Sequence, residues 1–139
     1  MYLLDTNIVS ELMKPVSNSE VIRWMDSQPA FDLHISAITY GEILLGLGLM
    51  PEGKRKKFHI ELAESTFPMF EGGTLSFDKN DSIKYAEIVT HRTKIGRPIS
   101  FHDAQIASIS VTNRLTLVTR NTKDFEHIEG LNLLNPWFD

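Results

Sequence analysis

The chain of 139 residues contains no cysteine, which excludes disulfides, thiolate metal sites and cysteine nucleophiles. Basic residues are also in deficit: 14 Lys and Arg stand against 18 Asp and Glu, for a formal net charge of −4. A broad basic surface for nucleic acid is therefore not expected. A bound cation would, however, offset a local cluster of acids, so the charge balance does not exclude chemistry on phosphates.

Long apolar runs are missing as well. The longest, residues 43–50, carries two glycines and is too short to span a bilayer. The apolar start ends at Asp5 and lacks the basic region and the long apolar region of a signal peptide. We therefore expect a cytoplasmic protein with no membrane partner.

The remaining composition, 42% hydrophobic and 23% charged, is that of an ordinary globular protein, and the length suits one domain over residues 1–139. Short apolar segments alternate with helical patterns. The predicted strands are residues 2–4, 33–36, 74–77, 115–119 and 131–134, and the predicted helices are residues 8–13, 20–27, 39–50, 54–66, 78–94, 101–112 and 123–127. The helix at 39–50 is apolar around most of its circumference, which predicts that it is mostly buried.

This alternation predicts right-handed β-α-β units. The expected fold is α/β, a three-layer α/β/α sandwich with a central, mostly parallel sheet of four to five strands.

Four acidic residues stand where a strand ends or a helix begins: Asp5, Glu42, Asp103 and Asp124. Parallel strands would bring them to one edge of the sheet, where such folds keep their ligand crevices. Because several carboxylates without matching cations repel one another, a hard divalent cation is their natural partner. The pattern indicates metal-dependent phosphate chemistry.

Helix capping is the alternative for each acid alone. Thr39-x-x-Glu42 and Ser100-x-x-Asp103 match a capping box, Asn121-x-x-Asp124 is a looser relative, and Asp5 can cap the helix that follows it. The two roles are compatible, since a capping carboxylate can still present an oxygen to a metal. Burying Asp5 without compensation would be costly, so a role confined to the core is not expected for it.

The surroundings of these acids are more specific than the acids themselves. The motifs are Leu3-Leu4-Asp5-Thr6-Asn7, Ser36-Ala37-Ile38-Thr39-Tyr40-Gly41-Glu42, His102-Asp103-Ala104-Gln105-Ile106-Ala107 and Leu117-Val118-Thr119-Arg120-Asn121-Thr122-Lys123-Asp124-Phe125. Together, and in this order, they resemble the PIN-domain ribonucleases, in particular the VapC-type toxins. The ending Asn135-Pro136-Trp137 resembles their FitB-like branch.

The resemblance implies that Asp5, Glu42 and Asp103 are the catalytic, metal-binding acids. It also implies that Thr6, Asn7 and Thr119 orient a carboxylate or a water. Many family members have a fourth acid directly after Thr-Arg, where this chain has Asn121. Asp124, three residues later, either substitutes for that acid or caps the turn, which leaves open whether one or two metals bind.

The activity implied is that of an endoribonuclease dependent on Mg²⁺ or Mn²⁺, the toxin of a type II toxin–antitoxin module. The implied partners are a VapB- or FitA-like antitoxin, an RNA substrate with transfer RNA as one candidate, and a second copy in a homodimer. DNA would be bound only through the antitoxin. Of the basic residues, Arg92, Lys94 and Arg97 precede the Asp103 helix and are the better candidates to meet an RNA backbone.

Two other functions stay open. A phosphotransfer domain would use a strand-end aspartate as its nucleophile, but the haloacid-dehalogenase-like pattern has a second Asp two positions on, where this chain has Asn7. A catalytically silent PIN-like binding module would use the acids for capping and partner contacts. Intact acids in three motifs argue against the module, while Asn121 is compatible with it.

Overall fold

In the computed structural model the chain is described over residues 1–138, and five short strands form one parallel sheet. The strands are β1 (Tyr2–Leu4), β2 (Leu33–Ser36), β3 (Gly73–Leu75), β4 (Thr116–Val118) and β5 (Asn132–Leu134). Their order across the sheet is β3-β2-β1-β4-β5. The register pairs Tyr2 with Leu33 on one side and with Thr116 on the other, both parallel. The α/β fold with a central parallel sheet is therefore confirmed.

Six α-helices connect and flank these strands. They are α1 (Thr6–Leu12), α2 (Ser19–Asp26), α3 (Ala37–Gly48), α4 (Lys54–Thr66), α5 (Lys79–Lys94) and α6 (Phe101–Thr112). Short 3₁₀ helices lie at Ala30–Asp32, Phe67–Met69, Thr122–Phe125 and Pro136–Phe138. The elements predicted at 2–4, 33–36, 54–66 and 101–112 have the predicted bounds, and the others have ends displaced by at most two residues. The predicted helix at 123–127 is the 3₁₀ turn Thr122–Phe125.

The core lies on both faces of the sheet because successive residues of a strand point to opposite sides. On β1, Leu4 belongs to a cluster with Ile8, Val21 and Ile35, whereas its neighbour Leu3 belongs to the other cluster, with α6. On β4, Val118 joins the first cluster and Leu117 the second. The central strands are therefore buried on both faces, as expected for a parallel sheet covered by helices.

The prediction that the α3 helix is mostly buried is wrong. Ile43 and Leu47, four residues apart, are buried against the core. Leu44 and Leu45 lie on the rest of its surface, Leu49 follows its last residue, and these three leucines are between 46% and 76% exposed. One stripe of a helix suffices for packing on a sheet, so the remaining apolar residues of α3 face outward.

The strand order also determines where a crevice forms. From β1 the chain passes to β2 and then β3 on one side, and returns to place β4 and β5 on the other. At such a switch point, the connections after the two adjacent strands diverge and leave a cleft outside their carboxyl ends. Asp5 follows β1 and Thr119 follows β4, so both lie at this point. Among residues 1–138, no helix is both long and apolar enough to cross a membrane.

Candidate active site

A cleft of about 530 Å³ opens at the carboxyl ends of β1 and β4. Of the residues predicted from the sequence, it brings together Asp5, Thr6, Asn7, Glu42, Asp103 and Asn121. The lining is completed by Ser10, Glu11, Lys14, Ser100, His102, Arg120 and Trp137. Thr119 lies beneath the lining, fully buried, and the exposed Asp124 is not part of it.

Asp5 is the most constrained side chain of the cleft. It is the N-cap of α1, and its Oδ1 accepts a hydrogen bond from the Thr6 N–H at 2.8 Å. Its Oδ2 accepts one from the Thr119 hydroxyl at 2.8 Å and a longer one from Asn7 Nδ2 at 3.4 Å. The residue is only 5% exposed. Asp5 therefore caps a helix and lines the cleft at once, and every hydrogen-bond partner found for its carboxylate is a donor.

Thr119 holds Asp5 through a fully used hydroxyl group. A threonine hydroxyl has one proton to donate and two lone pairs to accept with. The proton is directed to Asp5, and the lone pairs accept from Asn7 Nδ2 at 3.2 Å and from the Asn121 N–H at 3.1 Å. This arrangement ties the ends of β1 and β4 together and fixes the orientation of the Asp5 carboxylate.

Glu42 reaches the cleft from α3, and Thr6 contacts the beginning of that helix. The Thr6 and Thr39 hydroxyls lie 3.0 Å apart. The predicted capping box from Thr39 to Glu42 is wrong, because α3 begins earlier: Ser36 is its N-cap and accepts from the Thr39 N–H at 3.0 Å. Glu42 therefore lies in the second turn, where its carboxylate is free of a capping role and stands 3.6 Å from His102 Nδ1.

Asp103 enters the cleft from the first turn of α6. Ser100 is the N-cap of that helix and accepts from the Asp103 N–H at 3.2 Å, as the capping motif predicts. Partial burial raises the pKa of Asp103. The Ser100 side chain, by interacting with the Asp103 carboxylate, opposes this rise, and the nearby charge of Asp124 adds to it. Asp124 thus acts on the site through its charge although its side chain does not line the cleft.

The three acids influence one another electrostatically. Burial raises the pKa of Asp5 to about 6. Hydrogen bonds from Thr119 and Thr6 oppose this rise, and repulsion from Asp103 and Glu42 adds to it. Within residues 1–138, no Lys, Arg or His lies within ion-pair distance of Asp5 or Asp103. The negative charge of Asp5 and Asp103 therefore accumulates at this edge of the sheet, and no cation of the described residues forms an ion pair with either carboxylate.

This donor set has the chemistry that a hard divalent cation prefers, since carboxylate oxygens are its usual ligands. In the described part of the chain, no three Asp, Glu or His side chains are grouped tightly enough to hold one metal ion together. The acids are thus near enough to repel one another, but a shared ion would have to draw them closer. Their charge and ligand type fit Mg²⁺ or Mn²⁺.

The turn that carries Asn121 and Asp124 is held from behind by Arg92. This guanidinium is buried; its Nη1 donates to the carbonyl oxygens of Asp124 and Glu126, both at 3.0 Å, and its Nε donates to that of Arg97 at 2.6 Å. The expectation that Arg92 meets an RNA backbone is therefore wrong. The capping role proposed for the Asn121 side chain is also wrong, because that side chain makes no capping hydrogen bond to the turn.

Seven lining residues of the cleft were not predicted from the sequence as site residues, and Glu11, Lys14, Arg120 and Trp137 are among them. Glu11 is buried and accepts from Lys14 Nζ and the Asn18 N–H, both at 2.9 Å. Burial opposes its ionisation, but these hydrogen bonds and the charge of Lys14 outweigh that effect and lower its pKa. Arg120 and Trp137 lie within segments that resemble the family, but neither was assigned a role there, and no motif marks Glu11 or Lys14.

Comparison with known proteins places this geometry in context. The family model described as PIN domain matches residues 2–131. The chain is 38% identical to Toxin FitB of Neisseria gonorrhoeae over the whole length of both chains. It is also 38% identical to VapC ribonuclease Y4jK of Sinorhizobium fredii, over 99% of this chain and 98% of that protein. A solved structure of FitAB bound to a DNA fragment includes a chain with a TM-score of 0.89 and 36% identity, with 99% of this chain and 96% of that one covered.

Proposed function

Because the chain belongs to the PIN-domain family, we propose that it is an endoribonuclease dependent on Mg²⁺ or Mn²⁺ and acts as the toxin of a type II toxin–antitoxin module. One observation carries the proposal: the buried carboxylate of Asp5 accepts hydrogen bonds on both oxygens and shares a cleft with Glu42 and Asp103, while no cation of residues 1–138 forms an ion pair with Asp5 or Asp103. A relative of 38% identity named as a VapC ribonuclease supports the same activity.

Asp5 and Asp103 would hold the cation, with Glu42 as a further ligand. When bound, it lowers the pKa of a water to supply a nucleophile and neutralises charge on the phosphate and the leaving oxygen. Thr119 and Asn7 keep the Asp5 carboxylate in one orientation by donating to its Oδ2. Asp5, Asp103 and Glu42 approach from α1, α6 and α3, so their relative positions depend on three separate elements.

A water would attack the phosphorus as the P–O bond to the leaving oxygen breaks, so no covalent intermediate with the protein is needed. This distinguishes the proposal from phosphotransfer by an aspartate nucleophile, which would need a free carboxylate oxygen and a neighbouring acid. Here the residue two positions after Asp5 is Asn7, whose amide donates to Asp5 and whose carbonyl oxygen accepts from the Arg120 N–H. Asn7 thus serves as a hydrogen-bonding link and not as an acid.

The proposed partners are an RNA, a cognate VapB- or FitA-like antitoxin, and a second copy of the chain. The FitAB structure on a DNA fragment supports a complex that reaches DNA, and we propose that the antitoxin supplies the DNA contacts. The exposed leucines on α3 and directly after it, Leu44, Leu45 and Leu49, offer the kind of surface that such protein contacts bury.

The test is cleavage of total RNA by purified protein free of antitoxin, in Mg²⁺, in Mn²⁺ and with a chelator. We expect discrete products that require the metal, and their loss in Asp5→Asn, because the substitution removes the charge of the central ligand. Asp26→Asn is the matched control: it makes the same chemical change at an exposed position on α2 and should cleave normally. Full activity in Asp5→Asn would refute the proposal.

A further inference from the structure

Arg120 is an exposed residue of the cleft that lies on an aromatic ring. It follows Thr119, and its guanidinium carbon is 5.0 Å from the centre of the Trp137 ring. Trp137 is half-buried and packs against the core cluster that contains Leu4 and Ile8. The ring is therefore anchored in the body of the protein, and an arginine over such a ring is attracted to it and restricted in its motion.

The backbone around Arg120 is fastened to the same network that orients the acids. The Arg120 N–H donates to Asn7 Oδ1 at 3.3 Å, and Asn7 Nδ2 donates to Asp5. On the other side, Asn135 Nδ2 donates to the Arg120 carbonyl oxygen at 3.3 Å, while Asn135 Oδ1 accepts from the Trp137 N–H at 3.0 Å. Asn7 and Asn135 thus set the position of Arg120 relative to both Asp5 and Trp137.

The charge of Arg120 helps to lower the pKa of Glu11, after Lys14 and the hydrogen bonds to Glu11, but no acceptor in the described chain pairs with the Arg120 guanidinium. Over residues 1–138, its guanidinium makes no hydrogen bond and no ion pair. Other cations near the site are committed: Arg92 donates to three carbonyl oxygens and Lys14 pairs with Glu11 at 2.9 Å. Stacking on a ring leaves the N–H donors at the edge of the guanidinium free.

A restrained guanidinium with free donors, in a cleft otherwise dominated by carboxylates, matches a phosphate, which accepts two parallel hydrogen bonds from arginine. We propose that Arg120 binds an RNA phosphate beside the one that is cleaved, and that Trp137 is a positioning residue for Arg120. This rests on the proposed function, since it takes RNA as the ligand of the cleft. The carboxylates of the cleft repel the phosphates of an RNA backbone, and Arg120 would supply an attraction that offsets this repulsion.

The test measures how binding depends on salt. The parent protein is Asp5→Asn, which does not cleave, and the probe is a fluorescein-labelled single-stranded RNA of 12 nucleotides and random sequence, followed by anisotropy without divalent metal. Each phosphate contact on a single strand contributes about 0.7 to the slope of log affinity against log salt concentration. Adding Arg120→Met should weaken binding and reduce the slope by about 0.7, whereas adding Arg120→Lys should keep the slope.

The matched control is Arg23→Met, which removes the same charge from an exposed position on α2 outside the cleft lining and should leave the slope unchanged. Trp137→Leu should weaken binding when Arg120 is present and have little effect once Arg120 is Met, because the ring acts through the arginine. A role of Trp137 in folding alone would give additive effects. Thermal unfolding checks that each variant is folded.

An unchanged slope in Arg120→Met, or no measurable binding by the parent at 50 mM salt, would overturn this inference. Cleavage that depends on Asp5 and metal would still stand in the first case, so the proposed function and the Arg120 assignment can fail separately. Conversely, a reduced slope with no cleavage by the unsubstituted chain would keep the phosphate contact and remove the nuclease.

Discussion

Replacing Asp5 by Asn tests the electrostatics of the site through stability as well as activity. The folded chain holds the pKa of Asp5 at about 6, against 3.8 for an unperturbed carboxyl, mainly because the residue is buried. Below about pH 3 the carboxyl is largely protonated in both the folded and the unfolded state. Between pH 4 and pH 6 the unfolded state releases its proton first, so folding becomes less favourable as pH rises.

The size of this effect follows from the two pKa values. The difference between the two pKa values corresponds to a loss of about 3 kcal/mol in the free energy of unfolding. This loss is nearly complete about one pH unit above the pKa of the folded state. Asparagine does not titrate, so the variant lacks this loss. Its amide, however, cannot replace both acceptor oxygens of Asp5 toward the Thr6 N–H and the Thr119 hydroxyl. One mismatched buried hydrogen bond costs about 1–3 kcal/mol at every pH.

The pH dependence separates these two contributions. From pH 4 to pH 7.5, the free energy of unfolding of Asp5→Asn should rise relative to that of the unsubstituted chain by about 2.5 kcal/mol. The measurement is urea unfolding of both proteins with a chelator present, followed by circular dichroism, with Asp26→Asn as the exposed control. Identical pH dependence of the two proteins would refute the conclusion that burial perturbs Asp5.

Metal then provides a second check on the same pair of proteins. Adding Mg²⁺ at ten times its dissociation constant should stabilise the unsubstituted chain at pH 7.5 by about 1.4 kcal/mol. Asp5→Asn should gain much less stability from Mg²⁺, because the substitution replaces the buried carboxylate of a proposed metal ligand by a neutral amide. Equal stabilisation of both proteins would place the cation elsewhere.

Three further substitutions test the support of the site. Thr119→Val removes the hydroxyl that lowers the pKa of Asp5 and should destabilise the chain by about 1–3 kcal/mol. It should also move the acid limb of the cleavage pH profile to higher pH, and an unmoved limb would contradict the role of that hydrogen bond. Arg92→Met leaves three carbonyl oxygens unpaired and should lower the free energy of unfolding in urea by about 3 kcal/mol. Amide hydrogen exchange over residues 121–126 should become faster, and unchanged exchange would show that Arg92 does not hold the turn. Asn121→Asp adds a carboxylate to the cleft lining and should tighten Mn²⁺ binding in calorimetry; weaker binding would show that position 121 does not face the ion.

The comparison of sequence and structure separates local from long-range information. Elements such as β2 and α6 were predictable because their signals are local: an apolar run gives a strand, and Ser100 caps the helix that follows it. The clustering of Asp5, Glu42 and Asp103 in one cleft was also predictable, since parallel strands end at one edge of a sheet. The resemblance to PIN-domain proteins, read from the motifs around these acids, is confirmed by the family match.

Other features depended on contacts between distant parts of the chain. Nothing near Arg92 in the sequence indicates that its guanidinium is buried against the turn at residues 124–126. Likewise, α3 is apolar on nearly all sides, and only packing decides that Ile43 is buried and Leu45 exposed.

By itself, then, the sequence determined the alternating strands and helices, the caps formed by Asp5 and Ser100, and the acids at the strand ends, because each depends on neighbouring residues. The tertiary structure alone decided that the Thr119 hydroxyl donates to Asp5, 114 residues away, and that Arg120 lies on Trp137. These contacts depend on the order and register of β1 and β4, and no local pattern encodes which atoms meet when two distant strands pair.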